Sequence, residues 1–247
     1  MLKASSLVVP LLVSLAACGG DVNQTCLVQR PGLGGFIFVM DRTGPVSGGA
    51  GCDDTQLPPR QADNLQFDKL GADQREVVFR ARSLLPHDAN GEVALPASTG
   101  DVGRGQIGSA PDSDGICTVP SFTTAKAVPA NDGTPPDPPR SITLSSTRFL
   151  SAPAYQGTQA ESDATYTIDS CLATYHGLLL TPVVTCESDA DCHPFADPAS
   201  GRGVGSGLNP FYPVSCSIEV GALYGEDQGT GICWFTGNTF PQIQNQP

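Results

Sequence analysis

The chain has 247 residues, and its 13 Lys and Arg face 25 Asp and Glu for a formal charge of −12. An acidic surface of this kind repels phosphate backbones and anionic head groups, which argues against nucleic acid as a partner and against an electrostatic hold on a membrane. Gly and Pro account for 28 and 22 residues, short of the share typical of low-complexity chains. A packed core wrapped in long loops is therefore expected, in one large domain or two modest ones.

Lys3 followed by the apolar run Ala4 to Ala17 has the form of an export signal: a short basic region, then an apolar stretch. The run is too short to span a bilayer, which takes about 20 apolar residues, and Pro10 interrupts it. Leu15-Ala16-Ala17-Cys18 follows directly. A cut after Ala17 puts Leu15 where ordinary signal peptidase wants a small residue; a cut after Ala16, with Ser14 in that place, is the rival. The four residues resemble the lipobox of bacterial lipoproteins. The resemblance implies cleavage after Ala17, a diacylglyceryl thioether on Cys18 and an acylated amino terminus. More than one chain is what stable anchoring requires. Gly19 rather than Asp follows Cys18, which by analogy with the enterobacterial sorting signal favours the outer membrane. Without residues 1–17, 12 basic residues face 25 acidic ones, a charge of −13.

Nine cysteines are present, and assigning Cys18 to lipid leaves an even eight: Cys26, Cys52, Cys117, Cys171, Cys186, Cys192, Cys216 and Cys233. In an exported chain these read as a disulfide framework. If the first four pair among themselves and the last four likewise, nine of the 105 arrangements remain. A bridge across that boundary is equally physical, so the pairing stays open. The seven residues from Gly19 to Thr25 separate Cys18 from Cys26, and extended they reach at most about 25 Å.

Residues 31–66 are rich in turn-formers, with Phe36 to Met40 as a short apolar run that suits a buried strand. Glu76 to Leu85 fits a helical stripe or an alternating strand; the strand is the reading taken here. Residues 86–140 read as mostly irregular, ending in a proline-rich loop over 128–140. Ser141 to Leu150 reads as a strand. Ala164 to Ile168, the turn at Asp169-Ser170, and Leu172 to Thr185 read as a hairpin. The expected fold is all-β, a sandwich or barrel-like domain with long loops over residues 27–185. Residues 1–17 are the expected leader, 18–26 a lipidated tether, and 186–247 a small disulfide-rich module and tail, with Trp234 and Phe235 folding back onto the β domain.

Cys186-Glu187-Ser188-Asp189-Ala190-Asp191-Cys192, with Gly231-Ile232-Cys233 as a closing piece, resembles a recurrent element of Cys-rich proteins exported by large-genome Gram-negative bacteria. The resemblance implies a structural or interaction module and no activity. The same segment offers Asp189 and Asp191, with Glu187 and Asp197, as candidate calcium ligands. Calcium wants six to eight oxygens, and the simpler use of these aspartates is in turns, so no metal or cofactor is assigned. Asp112-Ser113-Asp114-Gly115 echoes an EF-hand core, but Ala110 and Ser121 occupy ligand positions. Gly103 to Gly108 matches GxGxxG literally, yet Pro111 forbids the helix that a phosphate site needs. His87, His176 and His193 are isolated, no HExxH or Cys-x-x-Cys occurs, and Gly205-Ser206-Gly207 is no nucleophile elbow. No catalytic residue is nominated. The expected function is a non-enzymatic envelope or binding protein held on a membrane by lipid, its protein or polysaccharide partner unnamed. A secreted-type hydrolase with an unrecognised site, or a calcium-stabilised adhesion module, is the alternative.

Overall fold

The computed structural model describes residue 26 and residues 35–71, 73–85, 100–128, 138–151, 157–200 and 203–244. The leader, Cys18 and most of the proline-rich loop lie outside this set. Twelve strands and one helix organise it. Strands β1 (Phe36–Arg42), β2 (Arg60–Leu70), β3 (Glu76–Ala81), β4 (Val102–Gln106), β5 (Ile116–Ser121), β6 (Ala125–Lys126), β7 (Arg140–Ser151), β8 (Thr158–Ile168) and β9 (Cys171–Thr181) form one nine-stranded antiparallel sheet. Its order is β4-β3-β2-β1-β9-β8-β7-β5, and β6 continues the line of β5 by pairing the earlier part of β7.

The two edges of this sheet meet. Gly105 bridges Phe122, Thr123 N–H donates to Arg104 O at 2.8 Å, and Lys126 N–H donates to Gly100 O at 3.0 Å. The sheet is thereby a nearly closed barrel of eight staves. Gly103 and Gly105 make the contact possible. A Cβ on Gly103 would lie 2.1 Å from the Phe79 ring and 2.6 Å from Thr123 O, and one on Gly105 would lie 2.8 Å from Ser121 O. The glycines of the GxGxxG match thus serve close backbone approach across the seam. Fully buried Asp101, just ahead of β4, pairs with Arg80 of β3 at 2.5 Å and fixes the start of the closing strand.

β4 to β6 are three strands within residues 86–140, a stretch expected to be mostly irregular. β4 carries glycine where an alternating strand would carry apolar side chains, and Pro120 interrupts β5. Neither strand shows the period-2 pattern on which the reading relied. β2, hidden in the turn-rich stretch, is likewise a full strand whose Asp63, Leu65 and Phe67 face inward. The expected hairpin is present. Ile168 pairs with Cys171 across Asp169-Ser170, and Asp169 adopts the left-handed region at φ 54°, a conformation that short polar side chains tolerate.

The lumen is solid at one end. Phe36, Phe67, Phe79, Phe122 and Phe149 interlock there, with edge-on contacts such as Phe67–Phe149 at 5.2 Å and Phe79–Phe122 at 5.2 Å. Cys26 is buried beside them, bridged to Cys117, and its carbonyl accepts from Lys69 Nζ at 2.5 Å. This is the end at which β2 and β7 finish and β3 and β8 begin. We call it the base.

β1 is buried along both faces from Phe36 to Met40. Phe36, Phe38 and Met40 point into the barrel, while Ile37 and Val39 point out, as do Leu178 and Leu180 of β9. The chain beyond β9 covers that outer stripe. It forms a second, three-stranded sheet of β10 (Thr185–Cys186), β12 (Gly231–Phe235) and β11 (Val214–Ser217), with the helix α1 (Ile218–Tyr224) between β11 and β12. Trp234, Phe235, Tyr212, Leu208 and Val220 pack on the stripe. Polar clamps add direction: Gln159 Nε2 donates to Gln242 O and Gln242 N–H returns a bond to Gln159 Oε1, both at 2.7 Å. Asn64 Nδ2 donates to Tyr224 Oη at 2.9 Å. The disulfides are Cys26–Cys117, Cys52–Cys171, Cys186–Cys216 and Cys192–Cys233, so the first four cysteines pair among themselves and so do the last four.

If the seam depends on bare backbone at β4, Gly103→Val should lower the unfolding free energy by about 1–3 kcal/mol or more through overpacking. Gly203→Ala, in open space, should change it by less than about 0.5 kcal/mol. Equilibrium urea unfolding of the two variants checks this.

Candidate functional site

Opposite the base, where β1 and β3 end and β2, β7 and β9 begin, the lumen opens into a pocket of about 240 Å³. The loop over 43–59 covers part of this mouth. Cys52–Cys171 staples it to β9, Arg42 Nη1 donates to Leu57 O at 2.7 Å and pairs with Asp54 at 2.8 Å, and Tyr175 Oη donates to Pro58 O at 3.0 Å. Leu57 is driven fully into the core, and Gln56 beside it lines the pocket.

Asp63 forms the polar floor. Its Oδ1 accepts from the amides of Asn64 at 2.8 Å and Ser83 at 3.2 Å. Its Oδ2 accepts from Ser83 Oγ at 2.6 Å and Tyr166 Oη at 3.1 Å. Each donor is held by a different element: Asn64 follows in β2, Ser83 sits in the short 3-10 turn after β3, and Tyr166 reaches across the lumen from β8. Burial pushes the Asp63 carboxyl above its ordinary value of 3.8, against the opposing pull of the Ser83 hydroxyl and the Asn64 amide. Burial and then the charge of Asp63 push the Tyr166 phenol well above its usual range. Leu84, Ile142 and Ile168 supply apolar wall, Gln56 and Gln61 supply amides, and Arg140 stands exposed on the rim. Among the described residues the Arg140 guanidinium has no ion pair. Among the described residues the mouth combines a hydrogen-bonded carboxyl floor, an apolar wall and one cation at the lip.

None of these residues was singled out in the sequence. Asp63 could have been found from one signal, a carboxylate in phase with Leu65 and Phe67 on the core-facing side of a strand. That signal appears only once β2 is recognised as a strand.

The residues that the sequence did single out lie elsewhere. Asp189 Oδ1 accepts from the Cys216 amide at 2.8 Å. Asp191 Oδ2 accepts from the amides of Glu187 and Ser188, both at 2.9 Å, and caps the 3-10 turn over Asp189–Cys192. Both act on backbone amides. Asp112 Oδ1 takes the amides of Asp114 and Ile116, a turn rather than an EF-hand. Among the described residues, the only ion-sized group of three or more metal-ligating side chains is Cys186, Cys192 and Cys233. All three are bridged, and only thiolates ligate metals. His193 faces Phe195 O at 3.3 Å, and His87 lies outside the described residues.

His176, on the barrel exterior, has Nδ1 2.9 Å from Asp163 and Nε2 3.7 Å from Glu161, and Glu161 also holds Arg148 at 2.6 Å. A catalytic dyad aims one ring nitrogen at a carboxylate and the other at a nucleophile. Here the carboxylate at Nδ1 is the exposed Asp163, and the group near Nε2 is a second acid, Glu161, rather than a nucleophile.

Residues 44–182 match the MlpA family model, a span that starts just past β1 and closes with β9. The chain belongs to the MlpA family. A Myxococcus xanthus protein named "Putative lipoprotein MlpA" is 29% identical over 112 residues, 45% of this chain and 45% of that protein. The matched stretch thus spans less than half the length of this curated relative. No solved structure matches. Every residue that lines the mouth falls within the MlpA span, whereas the Cys186–Cys216 and Cys192–Cys233 staples lie beyond it.

The floor of this MlpA-family barrel predicts an unusual pH dependence. A carboxyl whose folded value is raised contributes stability that is fully present below 3.8 and is lost as pH rises through the folded value. Relative to Asp63→Asn, wild-type stability should therefore fall as pH rises through this window. Urea unfolding of both proteins over a pH series reads it, and a wild-type advantage that grows with pH would contradict it.

Proposed function

We propose that this protein is an exported lipoprotein, cut after Ala17 and held to a membrane by acyl groups on Cys18, whose barrel acts as a non-enzymatic binding module. Four observations support the reading. Leu15-Ala16-Ala17-Cys18 follows an export-type leader. The other eight cysteines are all taken up in bridges, the state expected in an oxidising compartment. A relative from Myxococcus xanthus carries the name of a lipoprotein. The segment Cys186 to Cys192, with its Ser-Asp-x-Asp core, resembles modules of other exported Gram-negative proteins.

The observation that carries the binding role is the position of Cys26. It directly follows the proposed tether, and Cys117 pins it at the base, opposite the pocket. Strands of 11 residues such as β8 and β9 run about 35 Å, or about 25 Å along the axis of a tilted barrel. A tether entering at the base would keep that end against the bilayer and hold the mouth away from it, open to solutes. Barrel mouths are common ligand sites. With Gly19 after the lipidated cysteine, the outer membrane is the proposed address.

Intact mass spectrometry of the natively produced protein should find Cys18 as the first residue, carrying acyl chains, with no titratable thiol. Cys18→Ser should release the protein from the membrane fraction, and density-gradient fractionation should place the wild type with outer-membrane markers. An unacylated chain, or one with a free thiol, would remove this reading.

A further inference from the structure

We infer that the barrel mouth binds a small organic anion, a carboxylate carrying a compact apolar body. The inference rests on the binding role proposed above and assigns its ligand class.

The charges at the pocket decide the sign. Asp63 is the acid on the floor, but four donors already fill its two oxygens, and each donor is held by the fold. A ligand cation would find no open lone pair there, and reaching the carboxylate would mean breaking bonds that anchor β2 to β8 and to the turn after β3. Arg140 is the opposite case. It sits at the lip, is exposed, and has no ion pair among the described residues. A guanidinium presents paired N–H donors that match a carboxylate edge to edge.

Size and wall set the rest of the ligand. A cavity of about 240 Å³ accommodates about ten non-hydrogen atoms at the packing density of protein interiors. Below the lip Leu84, Ile142, Ile168 and the ring of Tyr166 form an apolar strip between the polar lining residues. An apolar body fits against them, whereas a sugar or a peptide backbone would leave most of its polar groups unpaired. A phosphate, which is recognised through many donors, would meet one guanidinium among the described lining residues. Gln56 and Gln61, the latter's Nε2 held only weakly by Met40 Sδ at 3.9 Å, offer amides to the second carboxylate oxygen or a single polar substituent.

Phenylacetate, phenylacetamide and phenethylamine share one ring and differ in charge, so titration calorimetry of the detergent-solubilised full chain with the three separates the possibilities. Phenylacetate should bind saturably, and the amide and the amine more weakly. Arg140→Gln should weaken phenylacetate by about tenfold or more, the loss expected when a charged hydrogen-bond partner is removed. It should leave the melting temperature unchanged, because the side chain is exposed. Arg140→Lys should recover part of the affinity. Binding of the amine or the amide with equal or greater affinity would overturn the anion assignment while leaving the mouth a binding site. Unchanged phenylacetate affinity in Arg140→Gln would also overturn it. No saturable binding of any of the three would remove the inference together with the binding role, but not the lipid anchor, which mass spectrometry tests separately.

Discussion

The seam between β4 and the β5–β6 line governs the rest of this molecule. A sheet of this size with free edges would expose rows of unpaired backbone groups and would have no inside. Closing it requires two backbones to come together where side chains would collide with Phe79, Thr123 O and Ser121 O, and Gly103 and Gly105 meet that requirement. Once the edges meet, alternate side chains of every stave point into one lumen. Five phenylalanines fill the base and leave the mouth to a mixed lining of polar and aliphatic residues.

The mouth stays open because its floor is a hydrogen-bonded carboxyl rather than another apolar side chain. Asp63 draws Ser83 and Tyr166 toward itself from opposite walls. A buried acid so satisfied braces the barrel where core packing thins out. The loop over 43–59 adds a second brace, since Cys52–Cys171, Arg42 and Leu57 tie it down on three sides. Rigid elements on both sides give the pocket a fixed shape, which would reduce the ordering cost of the binding proposed for it.

Outside the barrel the same economy of apolar surface explains the C-terminal segment. Ile37, Val39, Leu178 and Leu180 would form an exposed greasy stripe on β1 and β9 if the chain stopped at β9. Trp234, Phe235 and Tyr212 cover it, and two disulfides hold together a small sheet that has little core of its own. The MlpA match covers residues 44–182, so the cover lies outside the matched span.

Several of these features could be read from the residues alone. Local chemistry carries its own signature: an apolar leader before Leu-Ala-Ala-Cys, an even set of eight further cysteines, and the Asp-Ser turn between two β-branched runs. Phe36 to Met40 announced a strand buried on both faces by its lack of alternation. What the residues could not declare depended on partners far away in the chain. β4 was invisible because its inward positions are glycines, whose purpose exists only beside Phe79 and Thr123. Asp63 looked like any surface acid until Ser83 and Tyr166, 20 and 103 residues onward, closed around it. The cysteine pairing was decided by which strands lie side by side. The even cysteine framework and the β-rich class were therefore determined by the sequence, because periodicity and parity are local or countable. The seam, the polar floor and the place of Arg140 at the lip were decided by tertiary structure alone, because each is an arrangement that only the closed barrel creates.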